Sequence, residues 1–256
     1  MCGRYESWVE DDGIEEILET EKRGSASRYL RQREVFPGTV QPVLYGSRVQ
    51  IRAHLSRWGI PLRPDRGGRK TEGFADEELT LTLPRKERGA QGSRSLINAR
   101  SESAADKTRF AAAFREAENG DGPMRRAVVV TSAYYEWKDG VKFRISEGDG
   151  DLLFLAALEE DDGAVLRENA PVPSESYSVF SSAAAQVNGE EQTSVGHPGR
   201  GHVILTSASS GEVARIHDRM PLFLRRDECE DWLYDVGFAR RRLQAAWDRR
   251  MVVAQA

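Results

Sequence analysis

Long apolar runs are absent from this 256-residue chain. No segment approaches the roughly 20 apolar residues that a membrane helix requires. The first residues, Met1-Cys2-Gly3-Arg4-Tyr5, run straight into charged sequence with no apolar h-region, which excludes a secretory signal. A positive charge excess is also missing: 37 Lys and Arg stand against 41 Asp and Glu, for a net charge of −4. Overall charge therefore offers no argument for nucleic-acid binding, and any such binding belongs to a local basic patch. Cysteine is scarce, with only Cys2 and Cys229 present. The chain reads as a cytoplasmic protein in which both thiols stay reduced. No internal repeat, interdomain linker or βαβ regularity is visible, which leaves an α+β fold in one domain over residues 1–256.

What is present is a mixture of short elements. Residues 13–22 form an amphipathic helix by their Ile14, Ile17 and Leu18 spacing. Val35–Tyr45 is extended, and Val49–Ile60 alternates as a strand ending at Trp58-Gly59-Ile60-Pro61. Residues 62–78, rich in Gly, Arg and Asp, read as a basic loop, and 103–118 as a helix with Phe110 and Phe114 four apart. Strands follow at Ala127–Ser132, Val141–Ile145 and Leu152–Leu158, the first turn being Asp139-Gly140. Residues 159–200 read as an irregular insertion, with a short strand near Tyr177–Phe180. His202–Thr206 is a strand. Ser209–Ile216 and Asp227–Tyr234 are short helices, and 238–250 is a basic C-terminal helix.

Cys229 sits in an amphipathic pattern and reads as a buried thiol. Cys2 differs by position. Removal of Met1, which aminopeptidases perform before small side chains, leaves an α-amine and a thiol on one carbon. Those groups titrate near pH ~8 and ~8.5, so both are partly nucleophilic near neutrality. Four segments place polar groups beside strand ends or caps: Cys2-Gly3-Arg4-Tyr5, Asn98-Ala99-Arg100-Ser101-Glu102, Tyr134-Tyr135-Glu136-Trp137 and His217-Asp218-Arg219-Met220-Pro221. Each alone has an ordinary explanation. Glu136 can be a carboxylate beside a strand, His217 a helix cap, and Asn98 and Arg100 a turn and an ion pair.

Together and in this order, the four segments resemble the SRAP (SOS response-associated peptidase) family, whose members crosslink to abasic sites in single-stranded DNA. Arg126 to Trp137 is similar to the family's strand leading into Tyr-Glu-Trp. Phe36-Pro37 with Gln41-Pro42, and Arg57-Trp58-Gly59-Ile60-Pro61, add weaker matches, so the likeness runs from residue 2 to about Leu233. The resemblance implies a curved mixed β-sheet core with flanking helices and a DNA-binding groove. It implies that the Cys2 amine forms a Schiff base with the lesion aldehyde and that the thiol closes a thiazolidine, shielding the lesion. A lyase activity on the same site is chemically close.

By the same resemblance Glu136 moves protons at the amine, His217 assists sugar-ring opening and Asn98 holds the Cys2 backbone. Arg4, Arg100 and Arg219 contact phosphates, while Pro37 and Trp58 sit against exposed bases; from the residues alone, Trp58 reads as a core tryptophan. No metal or other cofactor is expected. The implied partner is single-stranded DNA with abasic sites, the implied state a monomer, nucleoid-associated when on DNA, with any replication-associated partners unspecified. Two alternatives stand beside this reading. One is a cysteine peptidase that uses Cys2, His217 and Glu136 or Asn98 and removes its own Met1. The other is a non-enzymatic single-strand DNA-binding module, which the acidic balance and 8% aromatic content disfavour. The chain departs from the family pattern after Ile60-Pro61, where Leu62-Arg63-Pro64-Asp65 replaces a further Trp, and at Thr206-Ser207-Ala208-Ser209, which lacks an Asn.

Overall fold

The computed structural model describes residues 2–8, 31–47, 50–62, 80–81, 95–115, 123–148, 151–161 and 199–256. Among these, the strands in chain order are β1 (Tyr5–Trp8), β2 (Arg31–Val35), β3 (Val40–Gly46), β4 (Ile51–Trp58), β5 (Ile60–Pro61), β6 (Thr80–Leu81), β7 (Ser95–Leu96) and β8 (Asn98–Arg100). They continue with β9 (Met124–Thr131), β10 (Ala133–Lys138), β11 (Val141–Ser146), β12 (Leu153–Asp161), β13 (Arg200–Ala208), β14 (Arg219–Pro221), β15 (Phe223–Leu224) and β16 (Val252–Gln255). The helices are short: α1 (Ser101–Ala104), α2 (Glu228–Tyr234) and α3 (Val236–Arg242). The fold is mixed α+β, dominated by a large mixed sheet with few helices, as the sequence predicts.

The large sheet closes on itself. β13 pairs with β4, β4 with β3, β3 with β9, β9 with β12, and β12 returns to β13. Every contact in this ring is antiparallel except β13 with β4. The apolar pattern explains the closure. Leu153–Leu158 and Gly201–Ser207 are buried at every position, so both faces of β12 and β13 must be covered. One face carries Phe154, Ala156, Leu158, Val203 and Leu205 outward against Phe114, Trp232 and Leu243. The other turns Leu155, Ala157 and Ile204 inward with Val43, Trp58, Ala127 and Val129.

A polar plug fills one end of this interior. His54 Nε2 lies 2.8 and 2.9 Å from the two Glu159 carboxylate oxygens, and Arg125 Nε donates to Glu159 at 2.8 Å. His54 and Glu159 belong to β4 and β12, which are not neighbours in the ring, so their contact crosses the interior. At the other end lies a second sheet, ordered β16-β11-β10-β1-β2. Its β10–β11 hairpin turns at Asp139-Gly140, where φ is +51° and +80°. Two successive positive φ values are what a two-residue hairpin needs, and Asp-Gly supplies them at low cost.

Several sequence expectations change. The helix expected over 103–118 is instead the single turn α1 and a 3-10 turn at Ala111–Phe114. Its carbonyls are held by tertiary donors: Arg126 to Ala113 O, and Arg240 Nε and Nη2 to Phe114 O at 3.0 and 2.8 Å. The C-terminal helix is α3, starting at Val236 and ending at Arg242, rather than 238–250; Asp235 caps it by accepting from Phe238 N–H at 2.9 Å. The helix at 209–216 is a 3-10 turn at Val213–Arg215. The expected insertion loses both ends to strands, since β12 runs to Asp161 and β13 begins at Arg200. The helix at 13–22, nearly all of the 62–78 loop and the strand near Tyr177–Phe180 lie outside the described residues. No helix among the described residues is long and apolar enough to cross a membrane.

Candidate active site

Cys2 precedes β1 and lies wholly buried between the barrel interior and the five-stranded sheet. Two connections hold this segment. Asn98 Nδ2 donates to the Cys2 carbonyl at 2.8 Å, and Tyr135 N–H donates to the Arg4 carbonyl at 2.9 Å. Asn98 is itself placed by β8, which runs parallel to β13 in the register Ile204↔Asn98. Downstream, the Glu6 carboxylate accepts from Tyr135 Oη at 2.8 Å, Ser132 Oγ at 3.0 Å and Arg144 at 3.1 Å. These bonds brace β1 against β10 and β11, so the backbone leading out of Cys2 is fixed over several residues.

Glu136 is on β10, opposite Phe143 of β11 and almost fully buried. Burial raises its carboxyl pKa, while the positive charges of the amino terminus and His217 pull it back and Asp218 adds to the rise. Burial likewise pushes the Cys2 thiol well above its ordinary value, and the Glu136 charge pushes it further. Cys2, Glu136 and His217 thus form one electrostatic group, with Asn98 attached to it by a direct hydrogen bond.

His217 follows the 3-10 turn and is partly exposed, its N–H donating to Val213 O at 3.0 Å. Its Nδ1 is 2.9 Å from the Arg219 backbone N–H and also 2.9 Å from Asp218 Oδ1. A neutral ring accepts the Arg219 N–H at Nδ1 and carries its proton on Nε2. A protonated ring turns an Nδ1–H toward the Asp218 carboxylate.

The three expected arginines are placed at the edges of this site, two of them in defined ion pairs. Arg4 lies 3.1 Å from Glu34 and stacks over Phe36 and Trp137, at 4.2 and 5.0 Å from the ring centres. Arg219 donates to both Glu102 oxygens, at 2.6 and 2.9 Å. Arg100, on β8, is half-buried and adds its charge to the Glu102 surroundings. Pro37 is half-buried in the turn between β2 and β3, where Gly38 N–H donates to Trp58 O at 2.7 Å.

Trp58 corrects an expectation. It is 0% exposed, its Nε1 donates to Ile97 O at 3.0 Å, and its ring packs 4.9 Å from Tyr5. It is part of the barrel core rather than a surface for bases. Phe36 and Trp137 are exposed beside Arg4, 41% and 38% accessible, and sequence reasoning did not single them out. Alternation carries the signal for Trp137: if Glu136 points inward on β10, its neighbour must point outward. Among the described residues, no group of His, Cys, Asp and Glu is arranged to hold a metal ion.

The family model for SOS response-associated peptidases (SRAP) matches residues 1–251. No curated protein sequence matches the chain. Solved structures that share its fold include two bacterial proteins. A Bordetella bronchiseptica protein is 18% identical with a TM-score of 0.58, covering 100% of this chain and 99% of its own. A Bacteroides thetaiotaomicron protein is 14% identical with a TM-score of 0.57, covering 99% of this chain and 91% of its own. The match across 1–251 takes in every motif from Cys2 to Pro221: the chain belongs to the SOS response-associated peptidase family.

Proposed function

We propose that this chain is a DNA-damage protein that captures abasic sites in single-stranded DNA as a thiazolidine on Cys2. Membership of the family supports the DNA-damage association. The observation that carries the finer reading is the attachment of the Cys2 carbonyl to Asn98, with Glu136 buried in the same electrostatic group. With Met1 removed, the Cys2 nitrogen lone pair attacks the aldehyde carbon of the opened sugar, and the carbonyl oxygen takes up a proton. Loss of that oxygen as water gives an imine. The sulfur then bonds to the same carbon, the C=N electron pair moves to nitrogen, and the thiol proton ends there. The overall change is aldehyde plus aminothiol to thiazolidine plus water.

Glu136, its carboxyl pKa raised by burial, suits the delivery of a proton to the departing oxygen. His217 suits proton transfer at the sugar hydroxyl during ring opening. Arg4, Arg100 and Arg219 would receive phosphates, and the exposed Phe36 and Trp137 would stack on bases, a contact that tolerates any sequence. A cysteine peptidase needs a thiol whose pKa is depressed. Burial and Glu136 move Cys2 in the opposite direction, and aldehyde capture uses both the amine and the thiol of Cys2 where a peptidase uses only the thiol.

The test mixes processed protein with single-stranded DNA carrying one abasic site, read on a denaturing gel and by intact mass. A covalent band that requires Cys2, lacks Met1 and has the mass of a dehydrated adduct is expected. Absence of the band with intact, processed Cys2 overturns the proposal.

A further inference from the structure

One short segment supports two parts of the site. Asn98, on β8, donates to the Cys2 carbonyl at 2.8 Å. Four residues on, Glu102 in the first turn of α1 reaches the strand that follows His217. Its two carboxylate oxygens accept from Arg219 Nη1 and Nη2 at 2.6 and 2.9 Å. The same Nη2 also donates to the Thr206 carbonyl on β13. A two-pronged contact of this kind fixes the orientation of a guanidinium as well as its place. Glu102 is anchored in turn, since Gln244 Nε2 donates to its carbonyl at 3.2 Å. Burial works to raise the Glu102 pKa, but the hydrogen bonds from Arg219 bring it below its ordinary value and keep the carboxylate charged.

The backbone N–H of Arg219 donates to His217 Nδ1 at 2.9 Å, and Asp218 Oδ1 lies 2.9 Å from the same nitrogen. These neighbours demand opposite tautomers of a neutral ring. The N–H needs a lone pair on Nδ1 and puts the ring proton on Nε2, whereas the carboxylate needs the proton on Nδ1. Asp218 is 83% exposed, so water competes for its oxygens. The Arg219 N–H is the better fixed of the two, but β14 has three residues and, among the described strands, pairs with β13 alone. So short a strand opens easily, and the Glu102 contact ties down its first residue. We propose that Glu102 is a positioning residue for His217: by clamping Arg219 it keeps the Arg219 N–H on Nδ1 and holds the proton of the neutral ring on Nε2. The inference deepens the aldehyde-capture reading and rests on it for the use of that proton. During sugar-ring opening, His217 then offers an N–H rather than a lone pair at Nε2 to the oxygen released from the ring.

The first measurement is made on the free protein and does not depend on the DNA reaction. Processed protein carries isotope-labelled histidine, and nitrogen–proton correlation NMR reads which ring nitrogen holds the proton at a pH where the ring is neutral. His217→Gln assigns the signals by their loss. Wild type is expected to hold the proton on Nε2. Glu102→Gln keeps the size of the side chain but cannot accept at both ends. It is expected to lower the ratio of Nε2–H to Nδ1–H at least about fivefold, the worth of an ordinary hydrogen bond. Arg219→Lys keeps the charge and the backbone N–H but lacks the planar fork, and is expected to do the same. Thermal melting shows which variants are folded, and should one fail to fold the other carries the test. A wild-type ring with its proton on Nδ1 overturns the proposal, as does an unchanged ratio in either folded variant.

The second measurement follows the use of that proton. Crosslinking is timed with saturating single-stranded DNA carrying one abasic site, and DNA affinity is measured separately in a Cys2→Ser background. Glu102→Gln is expected to slow the saturated rate at least about fivefold without weakening DNA binding. A carboxylate that served only to compete with phosphate for Arg219 would give the reverse, tighter binding and an unchanged saturated rate. That result, or a shifted tautomer with no fall in rate, overturns the catalytic use of the position. If wild type gives no crosslink, the aldehyde-capture reading fails by itself, and the tautomer ratio alone decides whether Glu102 positions His217.

Discussion

At the scale of single residues, the Cys2 carbonyl is held by a bond between distant parts of the chain. Asn98 donates to the Cys2 carbonyl across 96 positions of sequence. Asn98→Ala leaves that carbonyl without its donor and loosens the Cys2 end of a segment that Tyr135 still holds at Arg4. Loss of a buried hydrogen bond costs about 1–3 kcal/mol. The crosslinking rate is expected to fall roughly 5- to 150-fold by that range, measured by gel under single-turnover conditions with melting as the control for folding. Glu136 yields a pH prediction. Its pKa is raised, so it holds a proton at higher pH than an ordinary carboxyl group. The rate is expected to rise with pH as the amine deprotonates and to fall once Glu136 loses its proton. Glu136→Gln should abolish the falling limb; a falling limb that survives the substitution assigns it to another group. Cys2, Glu136 and His217 were legible as residues because their motifs are short and contiguous. The outward position of Trp137 was legible only from strand alternation.

At the scale of elements, the barrel's polar plug links stability to pH. Burial works to raise the Glu159 pKa, but hydrogen bonds and charge from His54 and Arg125 bring it down from 4.5 to about 2. Burial lowers the His202 pKa from 6.5 to about 4. In both cases the unfolded chain binds the proton before the folded chain does, so acid favours unfolding. The His202 contribution is lost between about pH 6.5 and 4, and the Glu159 contribution between about 4.5 and 2. Glu159 alone contributes on the order of 3 kcal/mol above that window. Glu159→Gln is expected to cost about 3–5 kcal/mol near neutrality, because it strands Arg125 and His54. The same variant should flatten the fall in stability below pH 4.5. Urea unfolding midpoints across this range measure both effects. The sequence reading placed β4, β9 and β12 nearly where they are but could not show them as one ring. Alternation states which residues share a face and says nothing of which strand lies opposite.

At the scale of the whole molecule, the proposed binding to a polyanion sets a net charge of −4 against local arginines. Three arginines at phosphates give a salt slope, log K against log salt, of roughly −2 on single strands. That shallow slope is expected in a binding titration with Cys2→Ser protein, and a much steeper one would require basic groups beyond Arg4, Arg100 and Arg219. Arg4 and Arg219 already hold Glu34 and Glu102, so phosphates must compete with carboxylates, which lowers the slope further. The sequence by itself determined the order of the motifs, the family and the α+β class, because these reside in short contiguous patterns. Only the tertiary structure decided that Trp58 is core while Phe36 and Trp137 are exposed, and that His54 meets Glu159 inside a closed ring. Those facts depend on contacts between residues 39 to 105 positions apart. Closure and packing select such contacts, and local periodicity carries no information about them.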